Sequence, residues 1–464
     1  MSTAPLAALP GPAPVPLLGW RANALRFLLD PIGYMDRLNL TRGLAAFVAG
    51  GCPQVLLQGQ GYGSVFALGA EANQAVLGDM AAYHSRRVPG PPESPDFAQL
   101  TSGLFSMNTD RHQQQRRLIA PALQRQRVAG YLDTMVGLTD RWLAGWTVGE
   151  TRDVLADLTR LTVGIMNRCL FGLDADAATS DLGARIQAVI GASVSPLSLL
   201  PAALPGTPRR RLVADAASVA RDLRALVAQK RADPSARDVV ASLVRARDDD
   251  GQTLTDDELL GQIFLLFFAG HDTTRNALAW TLLLLAQHPT VAHDLRDELT
   301  GTLGGGPPSL DQLGALPLLD AVIKESLRLF PPAPFTLRET TREVDLCGAT
   351  LPAGVEVILS YYHTHRDPAV YPEPGRFLPD RWSGEAPPPY AYVPFGGGAR
   401  VCVGAAFASQ ELRIALAELL RGARWELAEP KPVPNALRIG TFGPKTGIRL
   451  RRAAVTTDFG LTPP

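Results

Sequence analysis

Cysteine is scarce in this chain of 464 residues, and its four cysteines stand far apart. Cys52, Cys169, Cys347 and Cys402 form no Cys-x-x-Cys pair. This argues against a zinc site, an iron–sulfur cluster and a disulfide framework, and makes a reducing compartment the simpler setting. Net charge is absent as well, since 45 basic residues balance 45 acidic ones. No global attraction to nucleic acid or to an anionic membrane is implied. Nothing divides the sequence: there is no repeat, no charge run and no linker. One large domain over residues 1–464 is expected, with a Pro-rich segment at 1–18 and a loose tail at 453–464. Residues 1–19 carry no charged leader and no apolar run long enough to span a bilayer. The most apolar stretch, 259–286, is broken by His271, Asp272 and Arg275. No transmembrane anchor is expected, and the cytoplasm is the expected location.

What is present is mostly helical periodicity, with a hydrophobic fraction of 46% and 19% charged residues, as in a soluble globular protein. The expected class is mainly α with small β-sheets. Residues 45–48 and 55–58 read as two strands joined across Gly50-Gly51. Residues 344–346 could pair with 355–359, and 438–442 with 448–451, as further hairpins. Proline-rich loops are expected at 88–95, 201–208, 331–334 and 384–389. The clearest helix starts after Thr255. Thr255 and Glu258 have capping-box spacing, Leu254 and Leu259 can form a hydrophobic staple, and His288-Pro289 stops the helix.

The most informative ten residues are 395–404, Phe-Gly-Gly-Gly-Ala-Arg-Val-Cys-Val-Gly. Cys402 follows a glycine-rich turn and precedes a helix-forming stretch, 405–420. A metal-ligating cysteine must be a thiolate. Free N–H groups and the positive end of a helix dipole favour that anion. Gly396, Gly397 and Gly398 would let the backbone turn tightly and approach a flat ligand. Arg400 supplies a cation suited to a carboxylate. A buried structural cysteine is the plainer alternative, but it requires neither the glycines nor the arginine.

This pattern, Phe-x-x-Gly-x-Arg-x-Cys-x-Gly, resembles the haem-binding signature of the cytochrome P-450 family of haem-thiolate monooxygenases. The resemblance runs from about residue 10 to 451. It implies the fold of that family, with a long central helix over the haem and the cysteine loop on the opposite face. Cys402 would ligate the iron of haem b. Residues 269–274, Ala-Gly-His-Asp-Thr-Thr, sit mid-helix, where Gly270 costs about 1 kcal/mol against Ala and the Thr hydroxyls can bond back to the helix. Alone, they read as a kink with solvated polar groups. By resemblance, Asp272 and Thr273 are an acid–alcohol pair: Thr273 would hydrogen-bond dioxygen and Asp272 would link it to bulk protons. Gly270 would make room for dioxygen. Glu325 and Arg328, three apart on one helical face, could be a surface ion pair. By resemblance they join Arg381, flanked by Asp380 and Trp382, in a buried folding cluster. His112 and Arg116, four apart, would bind haem propionates with Arg338 and Arg400. Alone, His112 reads as a satisfied surface histidine. His363 and His365 form a His-x-His pair without a nearby third ligand, and His365 is taken as structural.

Substrate-facing positions implied by the resemblance are Phe97, Leu104, Phe105, Phe264, Phe268, Ala269, Phe335, Leu337, Ile439 and Phe442. Their apolar character points to a lipophilic substrate such as a terpenoid, carotenoid, fatty acyl chain or macrolide. The sequence runs about sixty residues beyond Cys402, too few for a fused reductase. A separate ferredoxin or flavodoxin with an NAD(P)H-dependent reductase is therefore expected, and Arg111, Arg117, Arg125 and Arg127 could dock such an acidic donor. Residues 196–211 could form an apolar entrance or an ordinary interhelical loop. A haem-thiolate peroxygenase and a haem sensor or electron carrier are the rival readings; the Asp272-Thr273 pair counts against the first, and an alcohol above the haem beside a large apolar pocket against the second.

Overall fold

The computed structural model describes Leu9 and residues 26–454, apart from 28, 39, 47–62, 89, 174–179, 194, 196–197, 199–205, 305 and 439. The longer helices are α1 (Ala70–Gly78), α2 (Thr109–Ile119), α3 (Leu132–Ala144), α4 (Val154–Phe171), α5 (Ser180–Ser193), α6 (Pro208–Ala232), α7 (Asp256–Gln287), α8 (Pro289–Leu303), α9 (Pro317–Leu329) and α10 (Ala405–Gly422). The strands are β1 (Gly43–Ala46), β2 (Ser64–Leu68), β3 (Tyr83–His84), β4 (Thr151–Asp153), β5 (Phe335–Thr340), β6 (Val344–Leu346), β7 (Ala349–Leu351), β8 (Glu356–Ser360), β9 (Arg424–Leu427), β10 (Asn435–Arg438), β11 (Thr441–Pro444) and β12 (Arg449–Ala453). The expected class, mainly α with small sheets, is what forms.

Helix α7 organises the molecule. Thr255 caps it: its hydroxyl accepts from Glu258 N–H at 3.3 Å, and the Glu258 carboxylate accepts from Thr255 N–H at 3.0 Å. Its 32 residues span roughly 48 Å at ~1.5 Å each. Residues 259–267 and 276–285 are buried throughout, and the half-buried ones fall at 268–275, so both halves of the helix run through the main apolar core. Near its start, two glycines bring a second segment close. A Cβ on Gly103 would lie 2.6 Å from Gly261 O, and one on Gly261 would lie 2.6 Å from Ser102 Oγ. This close approach fixes the 101–106 segment against α7.

The strand pairings differ from the sequence reading. β1 pairs with β2, in a five-stranded sheet of order β1-β2-β8-β5-β3; residues 55–58 lie outside the described residues. β6 pairs with β7, not with 355–359. The two-residue turn between them, Cys347-Gly348, has φ of +48° and +79°, the mirror-image geometry that matches strand twist. Strand β8 is buried along its whole length and is an inner strand, parallel to β2 and antiparallel to β5. Its apolar centre, Val357-Ile358-Leu359, suits a strand buried on both faces. β10 pairs with β11, whereas β12 lies between β4 and β9. Ala453, the first residue of the 453–464 segment, pairs with Arg424 in that sheet, and residues 455–464 lie outside the described residues. Of residues 196–211, the described end holds Thr207 as N-cap of α6, and Arg209 grips Glu93 with two hydrogen bonds of 2.6 Å. Among the described residues, no helix is long and apolar enough to cross a membrane.

Candidate active site

Cys402 stands two residues before Gly404, the N-cap of α10. Its N–H donates to Phe395 O at 2.8 Å, closing the glycine loop. Gly397 and Gly398 meet protein rather than leaving room for a flat ligand. At Gly398, φ is +62°, and a Cβ would stand 1.9 Å from Leu77 O at the end of α1. One on Gly397 would stand 2.9 Å from the Tyr390 ring. Around Gly404 the space is open, with only Cys402 Sγ near, 3.9 Å from an added Cβ. Cys402 is exposed, yet burial pushes its thiol up, against the lowering by Gly404 N–H and Arg116. A side chain both accessible and desolvated lies at the floor of a crevice. The helix end alone does not produce a thiolate here; a bound metal cation would.

Four of the predicted residues converge on this crevice. His112 is buried with its Nδ1 unpartnered. Burial, followed by the charges of Arg400, Arg116 and Arg338, lowers the His112 imidazole to about 4, so it is neutral. Arg400 is lowered to about 10 by burial and by Arg338 and Arg116. It donates to Met107 O at 2.7 Å and Leu104 O at 3.2 Å. Arg338 is also lowered by burial, and it donates to Leu337 O at 2.7 Å and Thr336 Oγ1 at 2.9 Å. Among the described residues, none of the three guanidiniums is paired with a carboxylate. Beside them, Val401 and Leu337 remain 37% and 41% exposed. A soft sulfur, three unpaired cations, an orphaned ring nitrogen and apolar rims fit a flat iron complex with two carboxylates.

Asp272 and Thr273 lie on the stretch of α7 that remains helical throughout. Thr273 donates to Ala269 O at 2.6 Å and Thr274 to Gly270 O at 2.9 Å, as backbone-bonding hydroxyls do. Asp272 Oδ1 pairs with Arg275 at 2.5 Å, and its Oδ2 accepts from the Thr441 hydroxyl. The expected space at Gly270 is filled: an added Cβ would meet Met166 Cε of α4 at 2.7 Å. Gly270 admits the neighbouring helix, not dioxygen.

Glu325 and Arg328 are fully buried and bidentate, with both hydrogen bonds 2.8 Å long. Arg381 adds 2.9 Å, Leu378 N–H 3.0 Å and Trp382 Nε1 3.0 Å. Burial would raise the Glu325 carboxyl, but the Arg328 hydrogen bonds and charge, with Leu378 and Arg381, hold it below the usual range. His363 bonds Ser360 and Asp36, and His365 accepts from Val393 N–H at 2.8 Å. No metal-binding group of three acids, histidines or cysteines occurs among the described residues.

A cavity of about 140 Å³ lies between residues 88–105, α5 and α7, lined by Phe97, Phe105, Phe264 and Phe268 with Leu100 and Ile190. Phe105 is 55% exposed at its rim. Leu104, Ala269, Phe335, Leu337 and Phe442 do not line it. Leu104 is buried, its N–H on Gln262 Oε1 at 3.2 Å. Ala269 is half-buried, Phe335 packs 5.9 Å from Phe27, and Leu337 sits by Arg338. Phe442 is fully buried 6.2 Å from both Trp280 and Phe330, so stacking puts its ring in the core. Ile439 lies outside the described residues. Sequence reasoning missed Arg275, Thr441 and Glu411. Glu411, on α10, is buried near Thr274 with neither carboxyl oxygen bonded. Its only sequence signal was an acid on the inward face of an apolar helix.

The family model for cytochrome P-450 matches residues 52–447. Cyclooctatin synthase of Streptomyces melanosporofaciens is 34% identical over 72% of this chain and 74% of its own length. Pentalenene oxygenase of Streptomyces avermitilis is 31% identical over 76% of this chain and 80% of its own. The structure of a retinoic-acid-bound cyanobacterial protein, CYP120A1, is 26% identical, covers 96% of this chain and 99% of its own, and has a TM-score of 0.78. The heme domain of cytochrome P450DA shares the fold, with a TM-score of 0.83 at 24% identity, covering 96% of both chains. The matched model spans the crevice, the central helix and the cysteine loop alike, and the chain belongs to the cytochrome P-450 family of haem-thiolate monooxygenases.

Proposed function

We propose that this enzyme inserts one oxygen atom of O2 into a C–H bond of a lipophilic small molecule, by hydroxylation or epoxidation. The other oxygen leaves as water, using two electrons from NAD(P)H and two protons. The observation that carries this reading is the convergence of His112, Arg116, Arg338 and Arg400 on the crevice that ends at Cys402.

Haem b is the proposed cofactor, with Cys402 as its sulfur ligand and the four cationic or imidazole groups on its propionates. Once bound, it supplies the oxygen activation that a thiolate ligand favours. The chain's own residues do the rest. Thr273 offers a hydroxyl from the central helix, and Asp272 stands next to it with a carboxylate that can carry protons inward. Phe97, Phe105, Phe264 and Phe268 hold the substrate and exclude water. A terpenoid is the class we favour, on this aromatic lining and on the likeness to an oxygenase named for pentalenene. The electron donor is a ferredoxin or flavodoxin with its reductase. Its docking face would be the exposed Arg117, Arg125 and Arg127. Arg111 contributes less, being 3.7 Å from Glu258.

The test is the reduced, CO-bound spectrum of the purified protein with haem. A thiolate-type band that disappears in Cys402→Ala is expected. An imidazole-type band, or a thiolate band surviving that substitution, would falsify the assignment.

A further inference from the structure

Three side chains on one stripe of α7, Asp272, Asn276 and Trp280, face the β10–β11 hairpin. Their spacing of four residues keeps them in line. Asp272 accepts from the Thr441 hydroxyl. Asn276 Oδ1 fills the space beside Gly443, where a Cβ would stand 2.5 Å away. Trp280 Nε1 donates to Phe442 O at 3.4 Å. The hairpin is also tied to the turn after α9, through Phe442 N–H on Pro332 O at 2.8 Å. Both oxygens of Asp272 are thereby engaged, one by Arg275 on its own helix and one by a strand 169 residues away in sequence.

We infer that Thr441 is a positioning residue for Asp272: the hairpin, docked on α7, fixes the orientation from which that carboxylate serves Thr273. This rests on the proton-delivery role proposed for Asp272. The reasoning is geometric. Arg275, three residues on, can hold Oδ1 in several side-chain orientations, because both groups ride on one helix. A second hold on Oδ2, from a different element, leaves one orientation. A carboxylate held at two points, one of them a neutral hydroxyl, keeps a fixed direction and can release the weaker hold to pass a proton. Valine at 441 keeps the shape but cannot donate; serine keeps the donor.

The experiment uses the haem-loaded enzyme with its electron donors and three variants: Thr441→Val, Thr441→Ser and Asp272→Asn. Two readouts are independent of turnover, amide exchange of residues 441–443 and the dissociation constant of an apolar ligand followed by its spectral shift. In Thr441→Val, exchange protection falls by about tenfold, the loss of one hydrogen bond to a charged group. Ligand affinity stays within about twofold, while the hydrogen peroxide formed per NAD(P)H rises several-fold. Thr441→Ser restores both. If Asp272→Asn raises peroxide but Thr441→Val does not, the positioning inference is overturned and the role of Asp272 stands. If Asp272→Asn changes nothing, the proton-delivery reading itself is overturned. A Thr441→Val enzyme whose peroxide rises only in step with weakened ligand binding also overturns the inference, since that is a structural effect.

Discussion

Arg328 and His365 share a hydrogen bond of 2.9 Å, from the guanidinium Nη1 to the histidine carbonyl. The imidazole of that same histidine accepts from Val393 N–H, two residues before the cysteine loop begins. The buried acid cluster is therefore one step of chain from the segment that presents Cys402. Arg328 also donates to Pro374 O at 2.7 Å and Arg376 O at 3.0 Å. Arg328→Ala takes the bidentate partner from a buried carboxylate, leaving it Arg381, Leu378 N–H and Trp382 Nε1, and leaves three carbonyls without that donor. The expected cost is ~3–5 kcal/mol for the broken buried pair alone. Arg328→Lys cannot reproduce the fork and should not rescue it. Soluble yield and retained haem after purification measure this; a variant that loads haem normally would show that the cluster is dispensable.

Two glycines should respond to alanine in opposite ways. At Gly398 an added Cβ meets a backbone oxygen at 1.9 Å and the residue has φ of +62°. Neither the carbonyl of Leu77 nor the backbone angle can yield cheaply, so Gly398→Ala should give little folded protein. At Gly270 the obstacle is the end of the flexible Met166 side chain, 2.7 Å away. That thioether can swing, and alanine gains about 1 kcal/mol of helix propensity. Gly270→Ala should shift stability by less than about 1 kcal/mol either way. Thermal denaturation of the two variants decides it, and equal losses would contradict this account.

The parts legible in the sequence were those whose local chemistry is self-announcing. Thr255 and Glu258 specify a helix start through their own atoms, and the capping box forms as the spacing predicts. The long helix and α10 carry enough periodicity to be read, and Cys402 has a loop pattern around it that little else explains. The strand partners were not legible. Cys347 adopts a left-handed conformation that favours glycine or asparagine, so the β6–β7 turn left no sign. Residues 355–359 read as a hairpin partner of 344–346, but the neighbours of β8 are β2, far off in sequence, and β5, outside that pairing. Phe442 is expected in the pocket only by resemblance, and the fold shows Trp280 and Phe330 stacked near it. Thr441 is 169 residues from Asp272, a separation at which no local pattern reports contact.

Thr273 already has a partner, Ala269 O, at 2.6 Å. Its hydroxyl can serve the reaction only by turning from that carbonyl, and the carbonyl keeps its helical N–H when it does. Thr273→Ala should therefore leave the helix, the haem and the thiolate spectrum intact. The change should appear in how electrons are used: product formed per NAD(P)H falls several-fold and hydrogen peroxide rises to match. Thr273→Ser should recover most of the coupling. Measuring product, peroxide and NAD(P)H consumption together tests this. Unchanged coupling in the alanine variant removes Thr273 from proton delivery.

Glu411 gives the enzyme a pH dependence of its own. Burial raises its carboxyl to about 8 from an ordinary 4.5, and the nearby Thr274 hydroxyl offsets only part of this. That hydroxyl donates to Gly270 O, and both Glu411 oxygens lack a well-formed partner. The sign follows from proton counting. Between about 4.5 and about 8 the unfolded chain has released the proton that the folded chain keeps. The folded state then binds more protons, so raising the pH destabilises it across that window and no further above it. At ~1.4 kcal/mol per unit, the fall attributable to this group is on the order of a few kcal/mol. Glu411→Gln carries no such proton and should lack that component of the slope. The two proteins should differ least near pH 5, with the glutamine variant gaining relative stability as the pH approaches 8. Chemical denaturation of both at several pH values reads the difference directly. Parallel curves would mean that Glu411 is ionised in the folded protein, with a counter-ion supplied by some other group.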